Sequence, residues 1–283
     1  MLLSGCGRLG FTDRPTPDGG ADAVLACGPT VACPADALCA SDQRCHPVMF
    51  RDSFDGPAID PAWSLLRFAF AIDSAGHLTT TTSPRVGFNY GQGGNGRSGV
   101  AAIHVGDPTW TDLRAEWTQQ SDASLLIVDG SLPACQHTPG VMFRMQEYSE
   151  SWNAPENTMY GFSIDQGCQG PVGPTGSWGM GATWHYWIPG TGWSPASMGL
   201  GASLAGGQTT AIADAPTRFA LEVRGTRIQL WSNGTQVVDY DDATTVYPAG
   251  ETPLTYGGLG FTSAWEQMFW IDDVVVADLT RGR

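Results

Sequence analysis

The sequence predicts an all-β protein built as a sandwich of two antiparallel sheets. Three observations lead there. The 283 residues include 37 Gly and 19 Pro, which break helices. Lys is absent and Glu occurs only seven times, so two strong helix formers are scarce. Short runs of period-two alternation recur through residues 48–280, the mark of half-buried strands.

Composition narrows the class further. With 42% hydrophobic and 15% charged residues, the chain can bury a sizeable core. Its 14 basic residues, all Arg, face 28 acids, 21 of them Asp, for a net charge of −14. A chain this acidic is not expected to bind nucleic acid through its general field. No stretch approaches the run of about 18 apolar residues that a spanning helix needs.

The N-terminal stretch Leu3-Ser4-Gly5-Cys6 resembles the lipobox of bacterial lipoproteins. That resemblance implies acylation of Cys6 and a lipid anchor at the outer membrane or cell surface. The charged and apolar parts of a signal peptide do not precede it. Either translation starts upstream of Met1 or the match is accidental. Arg14-Pro15-Thr16-Pro17-Asp18-Gly19-Gly20 cannot build a core, so residues 1–26 read as lipobox and flexible linker.

Cys27, Cys33, Cys39 and Cys45 recur every six residues. Zinc sites favour C-x2-C, which is missing here, so two disulfides are expected in residues 27–47. Of the three possible connectivities, Cys27–Cys39 with Cys33–Cys45 is favoured. The segment reads as a stiff, disulfide-braced spacer. Cys135 and Cys168 flank an expected hairpin centred near residue 152 and form a third pair. Cys6 remains for the lipid.

Residues 48–283 carry the strands. Leu113, Ala115 and Trp117 share one face, with Arg114 and Glu116 on the other as a cross-strand surface pair. Val141, Phe143 and Met145 alternate against Met142, Arg144 and Gln146. Tyr160, Phe162 and Ile164 form another apolar face, as do Phe219, Leu221 and Val223. Asn233-Gly234 separates two such runs, which signals a tight hairpin.

Several stretches resemble concanavalin A-like lectin/glucanase domains of the laminin-G-like kind. They are Phe50-Arg51-Asp52-Ser53-Phe54-Asp55-Gly56 with Ile59-Asp60-Pro61-Ala62-Trp63, then Gly76-His77-Leu78. Glu222-Val223-Arg224-Gly225, Gly257-Gly258-Leu259-Gly260-Phe261 and Phe269 to Val276 resemble the closing strands. The resemblance implies a jelly roll of two antiparallel sheets. Its members include lectins, glycosidases and lyases, so the fold does not choose the activity.

Each of these activities needs its own set of residues. Retaining glycosidases of this fold carry two Glu on one strand face. No two Glu here stand two or four residues apart. The lyase pattern needs Tyr-x-Lys, and there is no Lys; Arg114-Ala115-Glu116 and Ile103-His104 also come in reversed order. Gly91-Gln92-Gly93-Gly94-Asn95-Gly96 lacks the strand–helix context of a dinucleotide site. Catalytic residues are therefore not assigned.

The richest stretch for binding is 177–194, with Trp178, Trp184, Tyr186, Trp187 and Trp193. Indole faces stack on the C–H faces of sugars; equally, large rings cap β-sandwich cores. Both readings stand at this point. Arg144, Gln146 and Trp152 are further candidates on the central hairpin. Domains of this fold often hold structural Ca²⁺ near the first and last strands, which makes Asp52, Asp55, Asp272 and Asp273 candidate ligands. Asp239, Asp241 and Asp242 are a second acidic group. The expectation is a lipid-anchored surface protein whose jelly roll binds a polysaccharide or glycan. The alternatives are an unusual glycan-active enzyme and an adhesive protein.

Overall fold

The computed structural model describes residues 27, 32–67, 70–80, 100–121, 139–147, 158–165, 177–183, 202–208, 215–244, 253–264 and 269–281. In chain order the strands are β1 (Ala37–Cys39), β2 (Cys45–Asp52), β3 (Ser64–Arg67), β4 (Phe70–Ile72), β5 (Leu78–Thr80), β6 (Val100–Val105), β7 (Leu113–Ser121) and β8 (Pro139–Glu147). They continue as β9 (Thr158–Asp165), β10 (Ser177–Thr183), β11 (Ala202–Gln208), β12 (Thr217–Arg224), β13 (Arg227–Ser232), β14 (Thr235–Asp241), β15 (Gly258–Ala264) and β16 (Phe269–Asp278). One 3₁₀ turn, Asp242–Thr244, follows β14. Among the described residues there is no α-helix.

The strands form two antiparallel sheets. One has nine strands, ordered β1-β2-β16-β7-β12-β13-β14, with β5 also on β16 and β4 on β5. The other has seven, ordered β11-β10-β9-β8-β15-β6-β3. Their apolar faces meet in one core. Leu113, Ala115, Trp117, Phe219, Leu221, Val223, Ile271 and Val276 come from the first sheet. Ile103, Val141, Phe143, Tyr160, Phe162, Leu259 and Phe261 come from the second. Trp117 stacks on Phe219 and meets Phe261 edge-on, at 5.5 and 5.6 Å between ring centres. Each such side chain contributes roughly 1.5–3 kcal/mol on burial.

Two expected local signals are present. Asn233 (φ 47°) and Gly234 (φ 78°) both take the left-handed backbone that a tight β13–β14 hairpin needs. The disulfides are Cys27–Cys39 and Cys33–Cys45.

The expected spacer is instead docked on the sandwich. β2 starts at Cys45 and runs to Asp52, pairing with β16, so it crosses residue 47 without a break. β1 then pairs with β2. The Ser41 backbone N–H and hydroxyl both donate to the Glu222 carboxylate of β12, at 3.0 and 2.5 Å. His46, 1% exposed, lies against the Asp42 carboxylate and the Arg281 carbonyl.

Arg114 and Glu116 also differ from expectation. They sit two apart on one strand, bonded at 2.8 Å, and Glu116 is buried. Arg114 continues across to Glu222, and Arg218 closes on Glu116. The Arg114 guanidinium lies 5.2 Å over the Trp231 ring. This is a largely buried ionic network rather than a surface pair.

Candidate functional site

The outer face of the seven-stranded sheet is defined by backbone register. Opposite residues share a face, and the core face is fixed by Ile103, Val141, Phe143, Tyr160, Phe162, Leu259 and Phe261. Two of the outer rows run across most of the sheet. One row is Ser64, His104, Gly260, Met142, Gly161 and Gly181. The next is Arg67, Ala102, Thr262, Gly140, Ser163, Gly179 and Gly206. The second row has one large residue, Arg67, at its end. Glycines inside strands mark places where another group approaches the backbone closely.

His104 is the titratable group of the first row. Its Nε2 is shut off from solvent and has no hydrogen-bond partner among the described residues. Burial holds its imidazole below the ordinary histidine range. The sequence noted Ile103-His104 only as part of a misordered motif. The usable signal was alternation: Ile103 and Val105 face the core, so His104 faces out.

The aromatic segment links β10 to β11, whose ends pair at Ala182 and Ala202. Trp184, Tyr186, Trp187 and Trp193 lie outside the described residues, as do Trp152, Cys6, Cys135 and Cys168. Trp178 is in register with Ile164, the backbone position two along from Phe162.

Arg144 is not a ligand contact. A register shift between Phe143 and Glu147 breaks the alternation, and Arg144 takes φ 49°. Its side chain is 0% exposed and donates to the carbonyls of Leu254 (2.5 Å) and Gly225. Burial pulls its guanidinium down to about 10, against the opposing pull of Tyr160, Asp112 and Asp242. Tyr160 donates to the buried Asp242 and accepts from the Leu254 N–H at 2.8 Å. Burial first, and the Asp242 bond second, push the Tyr160 hydroxyl up. The bulge also reverses Met145, which clusters with Met142 and Met159 apart from the core. Gln146 stays partly exposed, donating to the Tyr256 carbonyl at 3.3 Å.

The four candidate calcium ligands split. Asp52 is occupied: its Oδ1 accepts from the Phe54 N–H and its Oδ2 from the Trp63 indole, both at 2.8 Å. Asp55, Asp272 and Asp273 share one neighbourhood. Burial, then the charges of Asp273 and Asp55, hold the Asp272 carboxyl above its usual range, although the Asp273 N–H and His77 oppose this. His77 stacks on Trp270 at 4.2 Å and bonds Asp73. Among the described residues, no three acidic or histidine side chains bring their ligand atoms within one coordination sphere. The one close set is Cys27, Cys33 and Cys39, and these are in disulfides. The side chains thus supply at most part of a calcium shell. Asp239, Asp241 and Asp242 are spent on Arg227, Thr226 and Tyr160.

No family model matches the chain, and no curated protein matches it. Solved structures do. The exoplasmic/lumenal domain of VIP36 in its Ca²⁺-bound form aligns at TM-score 0.50 and 11% identity, over 80% of this chain and 88% of that one. The carbohydrate-binding module CBM66 from Bacillus subtilis aligns at 0.45 and 11%, over 76% and 95%. SCLam, a non-specific endo-β-1,3(4)-glucanase of family GH16, aligns at 0.49 and 13%, over 91% and 97%. At these identities the likeness shows the fold: the chain folds as a concanavalin A-like jelly-roll sandwich.

Proposed function

We propose that the chain is a carbohydrate-binding jelly-roll protein whose ligand lies along the outer face of the seven-stranded sheet. The observation that carries this is the row from Arg67 to Gly206, where every position after Arg67 is Gly, Ala, Ser or Thr. After Arg67 this row carries no side chain larger than threonine, so a sugar chain lying along it would meet the sheet backbone closely. The aromatic residues between β10 and β11 in sequence are the candidates for ring stacking, with Trp187 as the lead residue. The test is a glycan array probed with the full chain, then with Trp187→Ala. Binding by the parent and loss in a folded variant support the reading. Flat signals on every glycan overturn it. Sustained release of product from a bound polysaccharide would make it an enzyme instead.

Calcium is part of the proposal as a structural ion beside Asp55, Asp272 and Asp273, with backbone oxygens completing the shell. The raised Asp272 carboxyl supports this, because a cation relieves the repulsion. The Ca²⁺-bound form of the VIP36 domain is compatible with it. Cys6 is proposed as the site of a lipid anchor that holds the protein at a bacterial surface. Incorporation of labelled palmitate that disappears in Cys6→Ser tests the anchor.

A further inference from the structure

We propose that His104, Met142, Met145 and Met159 form a site for a soft monovalent cation, Cu(I), on the outer side of the seven-stranded sheet. Met142, Met145 and Met159 are 2%, 3% and 2% exposed and form a cluster separate from the sandwich core. His104 on β6 and Met142 on β8 both pair with Gly260 of β15, from opposite sides. Met145 pairs with Gly258. β15 therefore places two glycines between the imidazole and the thioethers.

Both side chains lean over that gap. His104 Nε2 lies 2.4 Å from where a Cβ on Gly258 would stand. The Met142 methyl carbon lies 2.9 Å from the corresponding point on Gly260. Neighbouring strands are about 4.8 Å apart, so β6 and β8 are about 10 Å apart, within the combined reach of an imidazole and a thioether side chain. Met packing explains the burial of three thioethers. It does not explain a buried ring nitrogen with no partner among the described residues, since such a group needs a hydrogen bond or a metal. One imidazole nitrogen and three thioether sulfurs are a soft donor set, and soft ligands select Cu(I) over the harder divalent ions.

The probe is Ag(I), a redox-inert soft cation, titrated into the full chain after alkylation of any free thiol. The protein carries [methyl-¹³C]methionine at its eight Met positions. The expected result is saturation near one equivalent, with the methyl signals of Met142, Met145 and Met159 shifting and the others still. Cu(I) competed against a chelator should then bind roughly tenfold or more weakly in Met142→Leu/Met145→Leu and in His104→Gln. Leu nearly conserves Met volume, so circular dichroism should stay unchanged in the first variant. No saturable binding, equal binding in the Leu variant, or shifts confined to other methionines would overturn the site. The glycan-array result does not bear on this outcome.

Discussion

Ser41 and Glu222 are 181 residues apart in sequence, yet Ser41 donates two hydrogen bonds to the Glu222 carboxylate. Arg114 and Arg224 reach the same carboxylate at 3.1 and 2.7 Å, and the Glu222 side chain is fully enclosed. Arg224 also faces Asp42 at 3.1 Å, and Asp42 faces His46. One buried acid thus joins the disulfide-braced segment to the centre of the nine-stranded sheet.

The Glu222 carboxyl is held below its usual range. Burial pushes it up, but the Ser41 bonds and Arg224 outweigh burial. A carboxyl depressed on folding adds stability above its unfolded pKa, and that stability is lost as pH falls through the folded value. Glu222→Ala leaves two arginines facing an emptied site. It should cost about 3 kcal/mol at neutral pH and weaken the acid dependence of unfolding. Urea titrations at several pH values check both.

The disulfides each close a span of 12 residues on this clasp. Cys33→Ser/Cys45→Ser should lower stability by about 2–4 kcal/mol. A thermal melt with and without reductant measures it. A truncation beginning at residue 48 should be less stable still, because it removes β1 and the first residues of β2.

Arg144 should act on stability, not on glycan affinity. Gly257 (φ 133°) packs on it so closely that a Cβ would lie 2.3 Å from the Arg144 carbonyl carbon. Gly257→Ala is expected to destabilise by about 1–3 kcal/mol through strain and overlap. Arg144→Ala, which strands the buried Leu254 carbonyl and loses the bond to Gly225, should do at least as much. Chemical denaturation of both variants checks the ranking.

Asp272 has the opposite sign to Glu222. Its carboxyl is raised on folding, so the ionised form weakens the fold at neutral pH, and the loss is relieved as pH falls through the folded value. Millimolar Ca²⁺ should therefore raise the melting temperature at pH 7. Asp272→Asn should raise it without calcium and remove the calcium response. No response of the parent to calcium would exclude the ion.

Much of the fold was legible because alternation needs only local sequence. Leu113, Ala115 and Trp117 face inward as read, and Asn233-Gly234 turns as read. The misreadings have tertiary causes. A bulge at Arg144 reverses the phase of β8, and no local pattern announces it. Asp52 looked available for calcium until the Trp63 indole, 11 residues on, took one oxygen. Nothing near Ser41 indicates a partner at Glu222, so a docked segment read as a spacer. The small-residue face was illegible for a simpler reason: its rows cross six or seven strands and exist only once register is known.

Blocking that face tests the proposed glycan site most directly. Ser163 and Thr262 occupy outer positions flanking Gly140. Ser163→Arg/Thr262→Arg fills the row with long side chains while leaving the core residues unchanged. The full-length parent and this variant would be compared on the same glycan array, with melting temperatures alongside. The expected result is binding by the parent and its loss in a variant that melts within a few degrees of the parent. Undiminished binding by the variant would contradict the placement of the ligand on this face.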